Sequence, residues 1–187
     1  VPGGLHGRNL VDIQNRLQAA HLMWARCTLP CFMALLAGCS AGTGAEEPAA
    51  GLPVVAGCFV TESSAVNVSL ELAKAPKERQ KGLMGREFLA ANSGMLFQYQ
   101  EQQRPDHGFW MYQTLIPLDI AYLDENGVIG NIRQMKPCTS SNGARCPSYP
   151  AGVEFVSAVE MNAGFFEMHG IASGDRLKPG QQNCKAR

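Results

Sequence analysis

At 187 residues, with 16 Lys+Arg balanced by 16 Asp+Glu, the chain is long enough for one domain with a substantial core and carries no net charge. The balance excludes a nucleic-acid binder working through a broad basic face, and a hydrophobic content of 45% excludes a disordered chain. Seven cysteines are too few for a disulfide mini-protein, yet enough to raise the question of redox compartment.

Residues 1–22 sit poorly upstream of an export signal. Leu10, Ile13, Leu17 and Ala20 keep helical spacing, but Met23 opens a better-proportioned leader and is read as the native start. Residues 23–38 then form that leader: Arg26 as a basic flank, an apolar run from Cys27 to Leu36 interrupted by Pro30, and small residues Ala37 and Gly38. The run is too short for a membrane-spanning helix, which needs roughly 20 residues. Leu36-Ala37-Gly38-Cys39 resembles the lipobox of bacterial lipoproteins, which implies that Cys39 is acylated and becomes the N-terminus. Ser40 after that cysteine resembles the signal for release to the outer membrane, facing the periplasm. Residues 39–51 hold no large apolar side chain and read as a flexible tether. Arg8, Arg16, Arg26 and Asp12 precede Cys39, so the remainder carries a net −2, and the acyl chain rather than attraction to anionic lipid must hold the protein at its membrane.

Residues 52–187 are expected to form a single β-rich domain. Val66, Val68, Leu70 and Leu72 alternate with Asn67, Ser69 and Glu71, which predicts a half-buried strand. Pro76 at an early position, followed by Glu78 to Lys81, predicts a short helix within Lys74 to Met84, weakened at Gly82. Met95 to Phe97 and Phe109 to Met111 are short apolar runs bounded by glycine and proline. Leu118 to Leu123 and Val128 to Ile132 flank Asp124-Glu125-Asn126-Gly127, a tight hairpin signal. Val153 to Met161 predicts another strand, Ala163 to His169 a turn or two of helix, and the segment after Asp175 a last short strand. The expected class is mainly β, a compact sandwich or barrel-like domain with one or two short helices.

Several short motifs recur in a family order: Gly82-Leu83-Met84-Gly85-Arg86, Gly94-Met95-Leu96-Phe97, Phe109-Trp110-Met111, Thr114-Leu115-Ile116-Pro117-Leu118-Asp119-Ile120, Cys146-Pro147-Ser148-Tyr149, His169-Gly170-Ile171 and Gly174-Asp175. On these the chain between residues 66 and 177 resembles the family called domain of unknown function 192. The resemblance implies a compact β-rich domain, often exported, and no established activity. One departure is that Tyr112-Gln113 stands where family members usually carry Lys-Asn.

Cys58, Cys138, Cys146 and Cys184 remain after the leader and Cys39, an even number that favours disulfides in an exported domain. Cys138 and Cys146 bracket a polar loop that cannot pin itself, so a bridge between them is expected. Cys58 and Cys184 lie outside both ends of the family match, and the proximity of domain termini allows a second bridge. His107, Trp110 and Asp119 read as lining a pocket for a sugar or other small polar ligand. The competing reading has Phe109 and Met111 in the core and Trp110 covering a sheet edge. Asp119, between Leu118 and Ile120, needs hydrogen bonds or a cation if buried, and Arg86 is the candidate cation for a structural pair.

No nucleophile elbow, Walker loop, HExxH or dinucleotide fingerprint is present, so no cofactor is implied. With His107 and His169 alone after the leader, and six dispersed methionines, no metal site is expected. The reading is therefore a lipid-anchored envelope protein acting as a small-molecule binding or accessory module, with no nucleic-acid partner. A small hydrolase using Asp119 and a second carboxylate on envelope carbohydrate is the alternative, and a structural partner of another envelope protein the third reading.

Overall fold

The computed structural model describes residues 51–187; the proposed start, leader and acylated Cys39 lie outside them. In chain order the elements are β1 (Val54–Val60), β2 (Ala65–Ala73), α1 (Pro76–Lys81), β3 (Ser93–Gln103), β4 (Gly108–Trp110), β5 (Leu118–Leu123), β6 (Ile129–Met135), β7 (Ser148–Pro150), β8 (Phe155–Asn162), α2 (Phe165–Met168) and β9 (Arg176–Pro179). The chain is mainly β, as its alternating residues predict, and of the two expected architectures it adopts the barrel-like one.

Seven strands form one curled sheet in the order β6-β5-β8-β3-β2-β1-β9, while β4 and β7 pair as a separate ribbon. All neighbours in the large sheet are antiparallel except β2 and β3, which run parallel and are therefore joined by a crossover carrying α1. The curl brings the two edges together: Ile129 N–H donates to Asp175 O at 2.8 Å and Leu177 N–H to Gly127 O at 2.9 Å. An edge that meets another edge is no longer open to pairing with a second chain.

The predicted hairpin forms between β5 and β6, where Asp124 Oδ1 accepts from the N–H groups of Asn126 and Val128 and Gly127 takes φ 75°. Helix α1 is shorter than the segment predicted for it. Lys74 and Ala75 stay outside it, donating their N–H groups to the Glu78 carboxylate, and Gly82 ends it with φ 47°. That carboxylate is held below the usual range mainly by these two backbone donors.

Each face of the sheet has its own apolar cluster. The interior of the curl collects Phe59, Leu70, Leu96, Val159, Leu177 and residues from the other strands, plugged by Phe165 and Phe166 of α2. The opposite face packs Met95, Phe97, Ile120, Tyr122, Ala158 and Phe155 under Leu83 and under Phe109 of the β4–β7 ribbon. The ribbon is fastened by the Tyr122 hydroxyl, which donates to Tyr149 O at 2.7 Å.

Both expected disulfides are present. Cys138–Cys146 joins Cα atoms 5.7 Å apart and closes the loop beside the ribbon, and Cys58–Cys184 ties β1 to the C-terminal segment across 6.1 Å.

Candidate functional site

Cross-strand pairing on β8 decides which side chains reach the outer face. Glu160 is paired with Met95 of β3 and Ile120 of β5, so its carboxyl leaves the sheet on the side covered by the ribbon. Gly94, the next residue of β3, has no room for a Cβ because the Glu160 carbonyl and the Met161 sulfur fill that space, which lets β8 lie close. Glu160 is only 6% exposed. Burial alone pushes its carboxyl up to about 8, with no counter-charge or hydrogen bond pulling it back.

Glu160 lies in a cleft of about 310 Å³ between α1 and the ribbon, at the lower end of the size range of small-molecule sites. Phe97, Tyr99, Phe109 and Trp110 supply aromatic surface, and Arg79, Lys81, His107 and Thr114 supply the polar groups. The Tyr99 hydroxyl and His107 Nε2 are 3.3 Å apart, and Arg79 stacks over the Tyr99 ring with its guanidinium carbon 4.5 Å from the centroid. Desolvation, with help from Arg79, holds the His107 imidazole below its ordinary value, so it is neutral at pH 7; desolvation also raises the Tyr99 phenol. Arg79 donates to the carbonyls of Lys74 and Gln98, and none of the three ion pairs among the described residues includes it.

Phe109 and Met111 are buried whereas Trp110 is 46% exposed, as strand alternation requires. The indole stacks on Tyr112 at 4.8 Å between centroids and 16° between planes. It also lies against Gly143 in the disulfide loop, where a Cβ would collide with the six-membered ring. Cys138 N–H donates to Thr114 O at 3.2 Å, so the disulfide loop is stitched to the segment that follows the indole. Gln113, standing where the family resemblance implies Asn, holds φ 54°, a conformation that Asn adopts more readily than Gln.

Of the four residues singled out from sequence, the cleft brings together His107 and Trp110 and leaves out Asp119 and Arg86. Asp119 is paired across β5 and β8 with Met161, which places its side chain on the interior side of the sheet, opposite Glu160. There Asp119 Oδ2 accepts from Gly164 N–H at 2.8 Å and anchors the turn into α2. Burial raises its carboxyl while that backbone donor opposes the shift. The expected Asp119–Arg86 pair does not form: Arg86 Nη2 instead contacts both Glu71 oxygens, at 2.6 and 2.7 Å, on the surface. The physical reason is register, since strand pairing turns Asp119 toward the barrel interior while Arg86 follows α1 outside it.

Glu160 and Tyr99 are not singled out by the sequence, and Arg79 and Thr114 enter it only within a predicted helix and a family motif, not as site residues. A signal for Glu160 was present, an acidic residue between Val159 and Met161 in a predicted strand, the same pattern that drew attention to Asp119. Among the described residues no group of three His, Cys, Asp or Glu side chains is placed to hold a metal.

No curated protein matches the chain. A crystal structure from Sinorhizobium meliloti 1021, described as a candidate transcription regulator, is similar at 28% identity with a TM-score of 0.62, covering 69% of this chain and 95% of that one. A protein of unknown function from Novosphingobium aromaticivorans DSM 12444 is similar at 29% identity with a TM-score of 0.56, covering 70% of this chain and 89% of that one. The family matched is DUF192, described as "Uncharacterized ACR", over residues 59–179. The chain therefore belongs to the DUF192 family.

Proposed function

We propose that this DUF192 protein is an exported, lipid-anchored module of the cell envelope that binds a small polar ligand in the cleft over Glu160. The observation that carries the binding reading is a buried carboxyl without a protein partner, opening on a cleft lined with aromatic rings and polar tips. The Glu160 carboxyl makes no hydrogen bond to the protein and opens on the cleft, so a ligand seated there can complete its bonding. The rings offer a stacking surface to the body of a sugar or another cyclic molecule.

Export and anchoring are supported by the Leu36-Ala37-Gly38-Cys39 sequence and by the pairing of all four domain cysteines, which suits an oxidising compartment. No helix among the described residues is long and apolar enough to cross a membrane. Metabolic labelling with radioactive palmitate should mark the wild-type chain and not Cys39→Ala; equal label in both overturns the anchor.

Hydrolysis of carbohydrate by paired carboxylates is not favoured, because Glu160 is the one carboxylate in the cleft lining. The regulator description of the Sinorhizobium protein is not carried over either, since a net −2 beyond Cys39 gives little attraction to DNA.

Trp110 is the sole tryptophan beyond Cys39 and so reports on the cleft directly. Titrating the chain with a panel of monosaccharides and small carboxylic acids, read by Trp110 emission and equilibrium dialysis, tests the proposal. Saturable binding that survives Asp119→Asn and disappears in Glu160→Leu is the expected result. A flat response across the panel, or binding indifferent to Glu160→Leu, overturns it.

A further inference from the structure

The cleft holds an asymmetry of charge that narrows the ligand class. On its α1 side lie Arg79, half-buried and without a carboxylate within ion-pairing distance, and Lys81. The acidic residue nearest in sequence, Glu78, has its carboxylate committed to the Lys74 and Ala75 N–H groups. Arg79 uses one nitrogen, Nη1, for the Lys74 and Gln98 carbonyls, and that contact with Tyr99 fixes the guanidinium plane over the ring. Apart from its contact with Tyr99, its remaining donors have no carbonyl or carboxylate partner among the described residues. A fixed, partly desolvated guanidinium with donors to spare is the protein's usual means of holding a carboxylate or phosphate.

Resting on the binding reading above, we infer that the ligand is a small organic anion: its acidic group is held by Arg79 with Lys81, its ring lies on the aromatic wall, and the Glu160 carboxyl donates a hydrogen bond from the floor. The opposite arrangement, a cationic ligand drawn to Glu160, requires an ionised carboxylate there, and Arg79 and Lys81 oppose a cation at the entrance.

The floor group has a titration that the anion must feel. Facing Glu160 are Met95 and Tyr99 from β3, Ile120 and Tyr122 from β5, Arg79 and Lys81 from the α1 side, and His107 beside the ribbon. Tyr99 and Tyr122 are both raised by burial and His107 is neutral at pH 7, so Glu160 is the group that changes charge in this cleft near pH 8. Below that pH the carboxyl is a donor; above it, a carboxylate repels the anion.

Matched probe sets provide the test: D-glucose against D-glucuronate and D-glucose 6-phosphate, and benzyl alcohol against benzoate and phenyl phosphate. At pH 7 an anionic member should bind at least tenfold tighter than its neutral parent, and the carboxylate and phosphate arms distinguish the two acid types. Arg79→Gln should abolish that preference, with its thermal melt recorded to show that the chain folds. If it does not fold, Lys81→Gln gives the second readout, a smaller loss of preference. Affinity for the anion should fall at least threefold between pH 7 and 9 in wild type, and the fall should vanish in Glu160→Gln. Neutral parents binding as well as or better than the anions overturns the inference while leaving the binding reading standing. Silence from every probe overturns both.

Discussion

Val159 and Met161 leave β8 toward the barrel interior, whereas Ala158 and Glu160 leave it toward the cleft. Both sides are packed with aromatic rings, and each contains a buried carboxyl. On the interior side Asp119 is tied through Oδ2 to a backbone N–H of the turn into α2, while its Oδ1 is buried without a partner and away from the cleft. On the cleft side Glu160 has no such partner, and its neighbours are apolar or belong to the cleft wall. The difference teaches how to separate a structural acid from a functional candidate on one sheet. An acid that bonds the protein's own backbone away from any cleft serves the fold, and an acid that lines a cleft without a protein hydrogen bond is the candidate for serving something outside it.

The largest expected effect sharpens that contrast through pH. The raised Glu160 carboxyl keeps its proton in the folded state while the unfolded chain releases it above about 4.5. The native state therefore binds more protons than the unfolded one between pH 4.5 and 8. Stability referable to Glu160 is fully present below the unfolded value and declines up to the folded value, by at most about 5 kcal/mol. Urea melts of wild type and Glu160→Gln across that window should diverge with this sign, the variant gaining relative to wild type as pH rises. Parallel pH profiles would show that the carboxyl is not held neutral.

Truncation of the interior provides the next effect. The Phe59 ring lies 6.0 Å from Phe165 and 5.4 Å from Phe166, fully buried, and Phe59→Ala should cost roughly 3–5 kcal/mol while leaving cleft binding intact in the folded fraction. Breaking Cys138–Cys146 with a double Cys→Ser change should cost about 2–3 kcal/mol and shift Trp110 emission to the red, because the loop carrying Gly143 then leaves the indole. Unchanged emission would mean that the loop holds its place without the bridge. Asp119→Ala should cost about 1–2 kcal/mol through the orphaned Gly164 N–H and leave ligand affinity unaffected, as thermal melts and dialysis together would show. The smallest effect belongs to Trp110→Ala, under about 1 kcal/mol in denaturant melts, since the half-exposed indole covers a surface loop; a loss in the range of a core truncation would make it a packing residue.

The strands were legible wherever one face is solvated, since β2 then alternates as the pleat demands, and the hairpin between β5 and β6 was legible because Asn126-Gly127 meets its backbone requirement locally. The Cys138–Cys146 bridge was legible for the same local reason, a short polar loop closed by two cysteines. The short strand β7 was not, because three residues pairing only with β4 leave no periodic pattern. Of the residues read as lining a pocket, the cleft lining holds His107 and Trp110 and not Asp119, because alternation around Phe109 is a local property whereas the facing of Asp119 is not.

The amino-acid sequence alone determined the β class, the family, the Cys138–Cys146 bridge and the outward indole, all of which follow from spacing within a few residues or from motif order, whereas the Cys58–Cys184 bridge was only allowed by it. The closure of the curl at Ile129 and Asp175, the exchange of Glu71 for Asp119 as the partner of Arg86, and the choice of Glu160 over Asp119 as the buried acid beneath the cleft were decided only by the tertiary structure. The reason is that the side of a sheet a residue faces is set by pairing between strands distant in sequence. A shift of one residue in the pairing of β5 with β8 would have put both acids on the same side of the sheet.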